Sequence, residues 1–190
     1  MYHFHISNQY DDVWETGYVI DNTSEHFIND FSYQCAFDSS FYCGKSSVIE
    51  AVMDFVIDFL SEDTLDGMIR DKEFSFFHDY QLRNRELALE KVRQKYYPEL
   101  LSRFNSIWLC DKEQLEYWKR IFKEGAKLYE VSVTGEIFET NEVLLPKMTA
   151  NYNNMMKQAH DYWNAEYSIQ DKETCEYLFK GKIKILKELK

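Results

Sequence analysis

The stretch that decides the fold runs over residues 102–133, SRFNSIWLCDKEQLEYWKRIFKEGAKLYEVSV. Its middle predicts a strand, a helix and a second strand, in that order. The apolar run 106–110 is long enough for a strand and too short for a helix. Asp111 follows as a candidate helix N-cap, apolar residues then recur at helical spacing, and Gly125 suits a left-handed helix end. Apolar and polar residues alternate over 128–133, which is typical of a half-buried strand.

Ser102 and Arg103 stand just before the first of these strands, as two polar residues at the predicted lip of a sheet. A guanidinium in that place can bind a phosphate with two parallel hydrogen bonds, and a serine hydroxyl can assist it. The same two residues can instead cap a loop or form a salt bridge. The sequence leaves these alternatives open.

The composition is that of one globular domain spanning residues 1–190, with 45% hydrophobic residues. Aromatic residues make up 17%, which suits either a large-residue core or a cleft for flat ligands. The net charge of −11 disfavours non-specific binding to duplex nucleic acid. The C-terminal lysines predict either a local basic patch or a protected strand edge: Lys180, Lys182, Lys184, Lys187 and Lys190.

Metal and membrane signals are missing from the sequence. The four cysteines, Cys35, Cys43, Cys110 and Cys175, form no CxxC pair and no zinc-spaced cluster with histidine, so we expect no metal. Without a signal peptide they are expected to be reduced thiols in a cytoplasm. No apolar run reaches the length of a membrane span, and neither GxGxxG nor a P-loop occurs.

The first residues alternate as a strand, which would place Tyr2, Phe4 and Ile6 toward the core and His3 and His5 on the opposite side. Two histidines on one strand face can bind zinc, relay a proton or donate hydrogen bonds. They can also be ordinary surface residues.

Further elements alternate along the chain, and the fold class we predict is α+β. Short strands at the start, middle and end pair with one another, and helices are inserted between them. The predicted helices cover residues 24–37, 47–60, 85–97 and 149–165, and the remaining predicted strands cover 18–20, 136–140 and 176–186.

Two segments resemble ADP-ribosyltransferases of the DarT type, and a third segment resembles related proteins. The opening YHFHISNQYDDVWETGYVI resembles their YHIT start, and the ending CEYLFKGKIKIL resembles their closing strand, which begins with a catalytic glutamate. The segment SRFNSIW…LYEVSV…LL is similar to the middle of a related set of uncharacterised bacterial proteins and of tRNA 2′-phosphotransferases. The resemblance implies an ADP-ribosyltransferase-like split β-sheet core with inserted helices, and NAD as a substrate.

The resemblance also implies roles at matching positions. Glu176 matches the glutamate that holds a ribose hydroxyl and stabilises the oxocarbenium-like charge as nicotinamide leaves. His3 matches a histidine that binds a ribose of NAD, with Tyr2 packed behind it. Asn8 falls near a polar position of the family's first loop. There it either contacts NAD or caps the loop.

Within the same resemblance, Arg103 is the candidate cation for the NAD diphosphate, and Ser102 is a candidate for the nicotinamide-side ribose. For Glu176 an exposed strand-end acid is the plain alternative, and for Arg103 a salt bridge. Tyr162 and Trp163 are candidates either for stacking on nicotinamide or the acceptor, or for core packing.

The chain departs from the DarT pattern in three places. His5 stands where that pattern has other residues, and its arginine motif is not recognisable. Glu173 lies three residues before Glu176, so the E-x-E pair of protein-modifying toxins is absent and the acceptor stays undetermined.

Three hypotheses follow. The first is an NAD-dependent ADP-ribosyltransferase, a bacterial or phage effector or toxin in defence, acting on an unknown macromolecular acceptor and open to control by an antitoxin. The second is a catalytically silent module that binds a nucleotide or a protein partner. The third is an RNA 2′-phosphotransferase, disfavoured because such an enzyme is expected to line a groove with several basic residues.

Overall fold

The computed structural model describes residues 3–7, 14–24, 27–29, 73–121, 126–148, 150–165 and 172–189. Within these residues the chain forms five strands and three helices. The strands are β1 (His3–Ser7), β2 (Val19–Asp21), β3 (Ile107–Leu109), β4 (Lys127–Asn141) and β5 (Cys175–Leu189). The helices are α1 (Glu73–Tyr96), α2 (Leu115–Ile121) and α3 (Tyr152–Asn164).

The sheet is built around β5 and is antiparallel at every pairing. One edge of β5 pairs with β4 along almost its whole length, from Asn141 opposite Cys175 to Leu128 opposite Leu189. Its other edge pairs first with β3 and then with β2. β1 pairs with the outer edge of β4, so the strand order is β1-β4-β5-β2, with β3 beside β5. Segments from the start, middle and end of the chain therefore meet in one sheet.

The helix ends follow local chemistry. At the start of α3 the Asn151 side-chain oxygen accepts a hydrogen bond from the Asn154 N–H at 3.0 Å, which satisfies one of the unpaired donors of the first turn. At its end Ala165 adopts a left-handed conformation, with φ of 50°. The last turn of α1 stops two residues before Pro98, which cannot continue a helix.

Apolar residues cover both faces of the sheet, because side chains alternate along each strand. One face buries a cluster around Trp14 and Tyr129: Trp14, Ile107, Leu109, Tyr129, Val131, Phe179, Ile183 and Ile185. The other face packs against α1 and α3 through Leu89, Val92, Ala159, Tyr162, Trp163 and Leu178. Glu176, one of the residues nominated from the sequence, shares the strand face of Leu178 and so lies on the side of the second cluster.

Several predicted elements are confirmed and one is wrong. The predicted strands at 106–110, 128–133 and 176–186 are present, as β3, part of β4 and β5. The strand or hairpin arm predicted at 136–140 is present as a strand that continues β4, and α1 begins earlier than the predicted helix 85–97. The helix predicted over 24–37 is wrong at its start, because residues 27–29 are not helical. The rest of that helix, the predicted helix over 47–60 and Gly125 lie outside the described residues.

His5 departs from its predicted place on the solvent side of β1. Its ring stacks on Trp14, with the two ring centroids 3.9 Å apart, and its Nδ1 lies 2.9 Å from the carbonyl oxygen of Trp108. Trp14 contacts Tyr129, the residue opposite His5 in β4. The sheet is covered on this face too, so His5 is half-buried and does not face solvent.

The α+β class predicted from the sequence is confirmed. Among the helices that the structure describes, none combines the length and the apolar character needed to cross a membrane.

Candidate functional site

Arg103 is positioned by a tight turn between α1 and β3. It begins a short 3₁₀ turn, Arg103–Asn105, whose N-cap is Ser102. The Ser102 hydroxyl accepts a hydrogen bond from the Phe104 N–H at 3.2 Å and donates one to Glu90 Oε2 at 2.8 Å. This turn directs Arg103 inward, so that only 5% of the residue is exposed.

Glu176 is the second residue of β5 and lies opposite Thr140 of β4. The helices α1 and α3 cover this end of the sheet, and the Thr140 hydroxyl donates a hydrogen bond to the Tyr162 carbonyl oxygen of α3 at 3.1 Å. Glu176 is therefore enclosed, with 3% of the residue exposed. The alternative of an ordinary exposed strand-end acid is wrong.

Arg103 and Glu176 contact each other directly, although they are far apart in sequence. Arg103 Nη1 donates to Glu176 Oε1 at 2.5 Å and to the Tyr162 hydroxyl at 2.5 Å. The Tyr162 hydroxyl in turn donates to Glu176 Oε1. Arg103 Nε donates to Glu86 Oε2 of α1 at 2.8 Å. The result is a buried network, Glu86–Arg103–Glu176–Tyr162, that ties α1, the 3₁₀ turn, α3 and β5 together.

The charges of this network are balanced. Glu86 also accepts hydrogen bonds from Arg85, at 3.1 Å from Nε and 3.0 Å from Nη2, so two guanidinium groups face two carboxylates. Buried charges persist only when they are paired in this way. Cation–π contacts add to the pairing, because Arg103 Cζ lies 5.3 Å from the Trp108 ring centroid and 5.2 Å from that of Tyr162.

The pKa values follow from burial and pairing acting against each other. Burial alone would raise the pKa of Glu86, but the charges of Arg103 and Arg85 outweigh it and lower that pKa below the usual value. Burial alone would lower the pKa of Arg103, but Glu176 and Glu86 raise it. Burial and the Glu176 charge raise the pKa of Tyr162. At neutral pH Glu86 is therefore a carboxylate, Arg103 a charged guanidinium and Tyr162 a neutral phenol.

The two oxygens of Glu176 have different surroundings. Oε1 accepts the hydrogen bonds from both Arg103 and Tyr162. Among the described residues, no hydrogen bond reaches Oε2. The carboxylate is thus fixed in orientation through one oxygen, and the other oxygen keeps its capacity to accept a hydrogen bond from a ligand hydroxyl.

The structure brings together three of the six residues nominated from the sequence. Arg103 and Glu176 are in contact, and Ser102 lies beside Arg103 but is bonded to Glu90. His3 lies in β1 opposite Val131, two strands away from β5, whereas the β4 partner of Glu176 is Thr140 at the far end of that strand. Tyr2 and Asn8 lie outside the described residues.

Neither Tyr162 nor Trp163 is exposed for the stacking role suggested from the sequence. Trp163 is 2% exposed and its Nε1–H donates to the Leu89 carbonyl oxygen at 2.7 Å. Tyr162 is fully buried in the network. Core packing, the alternative weighed from the sequence, is what the structure has.

Sequence inspection missed Glu86, Glu90 and Arg85. A signal for Glu86 is present in the sequence, because it precedes Leu89 by three residues and so falls on the apolar stripe of α1. A carboxylate on a buried helix face requires a cation, and Arg103 supplies it. No comparable signal marks Glu90, which binds Arg93 at 2.8 Å and Ser102.

A surface cleft of about 420 Å³ lies at the start of β5. Cys175 and Tyr177 line it and alternate with Glu176 along β5, so the cleft is on the opposite face of that strand. Its other lining residues are Asp111, Lys112, Glu113, Gln114, Glu139 and Lys172. In the part of the chain that the structure describes, no group of three His, Cys, Asp or Glu residues is arranged to hold a metal ion.

The architecture defines an α+β protein whose central strand carries a buried arginine–glutamate–tyrosine network. Compared with known families, the whole chain, residues 1–190, matches the family described as "Protein of unknown function (DUF2441)". The chain belongs to that family. No curated protein matches it.

Proposed function

We propose that this protein is an NAD-dependent ADP-ribosyltransferase, a bacterial or phage effector or toxin, and that Glu176 is its catalytic carboxylate. The observation that supports the proposal is the convergence of two residues nominated separately, Arg103 by its place before an apolar strand and Glu176 by the family resemblance. Arg103 and Glu176 come from distant parts of the chain and meet at 2.5 Å at the start of the central strand. A guanidinium for the diphosphate and a carboxylate for the ribose are needed side by side.

In this proposal Glu176 Oε2 accepts a hydroxyl of the nicotinamide-side ribose. The negative charge then stabilises the positive charge that grows on the ribose as the bond to nicotinamide breaks. Nicotinamide leaves with the bonding electrons, and a nucleophile of the acceptor forms the new bond to the same carbon. The Tyr162 hydroxyl, which donates to Oε1, keeps the carboxylate oriented when Arg103 turns to the diphosphate.

A silent binding module is the second candidate, and one observation favours it. Arg103 and Glu176 neutralise each other in a buried pair, with side chains 5% and 4% exposed. For the NAD diphosphate to bind Arg103, the Arg103–Glu176 contact has to open or loosen. A chain in which the pair never opens keeps the fold and has no transferase activity.

The test is transfer from NAD labelled in its adenylate phosphate, with a cell lysate as the source of acceptors and separation of nucleic acid from protein afterwards. Glu176→Gln should lower transfer by ~10²-fold or more, because glutamine keeps the hydrogen bonds to Arg103 and Tyr162 but lacks the charge. Glu188→Gln, an exposed acid on the same strand, is the matched control and should leave transfer unchanged.

Both variants are melted first, because Glu176 is buried and its replacement can affect stability. Full transfer by folded Glu176→Gln contradicts the assignment, and Glu173 and Glu136 are then the next acids to replace. No transfer by the wild-type chain under any lysate condition favours the silent module.

A further inference from the structure

The cleft at the start of β5 lies on the face of the sheet opposite to Glu176. Its floor includes Cys175 and Tyr177, which flank Glu176 in the strand. Glu139 of β4 lies directly opposite Tyr177 on one edge of β5. On the other edge, Asp111 follows the last residue of β3 by two positions. The cleft therefore crosses three neighbouring strands and is separate from the buried network.

Hydrogen bonds fix the shape of this cleft. Gln114 is only 2% exposed, and its Nε2 donates to the Tyr177 hydroxyl at 3.2 Å. The Oε1 of the same side chain accepts a hydrogen bond from the Asp111 N–H at 2.8 Å. Trp118 of α2 donates from Nε1 to the Cys175 carbonyl oxygen at 3.1 Å. These contacts attach α2 and the turn before it to β5, so a ligand finds the cleft already formed, which lowers the cost of binding.

Two carboxylates stand on either side of Tyr177. Asp111 comes from the β3 side and Glu139 from the β4 side, and the strands that flank β5 are about 10 Å apart. Burial raises the pKa of Tyr177 to about 12, and the negative charges of Asp111 and Glu139 add to this rise. The field at the phenol is therefore negative, and it favours a cation between the two carboxylates.

The exposed charges of the cleft leave this field uncompensated. Lys112, Lys172 and Glu113 are exposed at its rim, so water screens them. Among the described residues, no ion pair joins either lysine to Glu113 or Glu139. Glu139 is thus available to a cation that a ligand brings.

We propose that the cleft binds a linear aliphatic diamine or polyamine, with one ammonium group at Asp111, another at Glu139, and the carbon chain along the Tyr177 ring. Each ammonium donates charge-assisted hydrogen bonds to a carboxylate, and the ring face attracts the cations. The methylene groups cover the ring as the stem of a lysine does. An organic cation suits the cleft better than a metal ion, because the described residues include no metal-binding group of His, Cys, Asp or Glu. This binding goes beyond the proposed function and requires neither NAD nor transfer.

The test is isothermal titration calorimetry of the full chain with cadaverine, at physiological ionic strength and without NAD. Pentanediol is the control ligand, because it has the same carbon chain with hydroxyl groups in place of the ammonium groups. Cadaverine should bind and pentanediol should not. Asp111→Asn and Glu139→Gln should each weaken the binding of cadaverine ~10-fold, because each removes a charged hydrogen-bond acceptor.

A matched variant separates a site from general attraction, because any cation is drawn to a chain whose net charge is −11. Glu188→Gln removes one exposed carboxylate near the far end of β5, so it changes the net charge exactly as Glu139→Gln does. Its affinity for cadaverine should equal that of wild type. Glu139 is exposed, so its replacement leaves a folded chain even if Asp111→Asn does not, and thermal melts check both.

Three results would overturn the inference: no binding of cadaverine by the wild-type chain, binding of pentanediol as tight as that of cadaverine, or equal losses from Glu139→Gln and Glu188→Gln. The inference and the proposed function fail separately. A chain that binds cadaverine but transfers nothing from NAD keeps the amine site and loses the transferase. A chain that transfers from NAD and ignores cadaverine loses only the amine site.

Discussion

Arg103 decides how the candidate site behaves, because it is the cation shared by two buried carboxylates. Removing one partner of a buried ion pair leaves an uncompensated charge, which costs roughly 3–5 kcal/mol. The same energetics apply to the NAD binding proposed above. An NAD diphosphate that binds Arg103 has to replace the contribution of Glu176, and the released carboxylate has to find the ribose instead.

Glu86 should make the stability of the protein depend on acid pH. Its pKa in the folded chain lies below the usual value of 4.5, so its contribution is fully present above that pH and is lost as the pH falls through the lowered value. Glu86→Gln should therefore lower the free energy of unfolding by roughly 3 kcal/mol at pH ~7, and the difference from wild type should shrink below pH ~4.5.

Urea denaturation at a series of pH values measures this difference. The control is Glu116→Gln, because that side chain is 85% exposed and its contact with Lys119 is a surface ion pair. Its difference from wild type should be small at every pH. A Glu86→Gln difference that stays constant as the pH falls would show that Glu86 is not ionised in the folded chain.

At the scale of elements, β4 and β5 depend on a pair of glycines. Gly135 lies opposite Gly181, and a β-carbon on Gly135 would meet the Lys180 carbonyl oxygen at 2.2 Å. A β-carbon on Gly181 would meet the Thr134 carbonyl oxygen at 2.3 Å. Both obstacles are backbone, which cannot turn aside as a flexible side chain can. The two strands therefore approach more closely at this point than side chains would allow.

Gly135→Ala should lower the free energy of unfolding by roughly 3 kcal/mol or more, because the strands have to separate to admit the methyl group. Gly17→Ala is the control for backbone conformation alone. Gly17 has φ of 90°, but no atom lies within 4 Å of the position that a β-carbon would take, so only strain of about 1–2 kcal/mol is expected. Thermal melts compare the two variants. Equal losses would show that backbone strain, and not the close approach, requires glycine at position 135.

The sequence predicted β4 as two strands because its buried face changes along its length. Tyr129 and Val131 are buried on one face in the first half, whereas Phe138 and Thr140 face the helices on the other side in the second half. The buried positions therefore change from odd to even numbers near Gly135, and a pattern of period two is interrupted. The helices α1 and α3 cover only one end of the sheet face on which they pack. That coverage is set by the tertiary structure, which the local periodicity of the sequence does not encode.

Across the whole molecule, part of the candidate site was predictable from sequence. Arg103 was nominated by its place before an apolar strand, and Glu176 by the resemblance of the closing strand to that of DarT-type ADP-ribosyltransferases. Their contact was not predictable from spacing, because it depends on β5 pairing with both β3 and β4. The burial of Glu176 depends in addition on α1 and α3, since Glu86 and Tyr162 reach the pair only when both helices pack on the sheet.

Binding of NAD should stabilise the whole fold, because a ligand that binds only the folded chain shifts the unfolding equilibrium. The expected gain is ~2.7 kcal/mol when NAD is present at one hundred times its dissociation constant. Glu176→Gln should show a shift at least as large as wild type, because an uncharged side chain competes less with the diphosphate for Arg103. Glu188→Gln should show the wild-type shift. Thermal melts with NAD and with ADP-ribose make the measurement: no shift with either ligand counts against NAD binding, and a shift with ADP-ribose alone indicates a binding module that recognises the product.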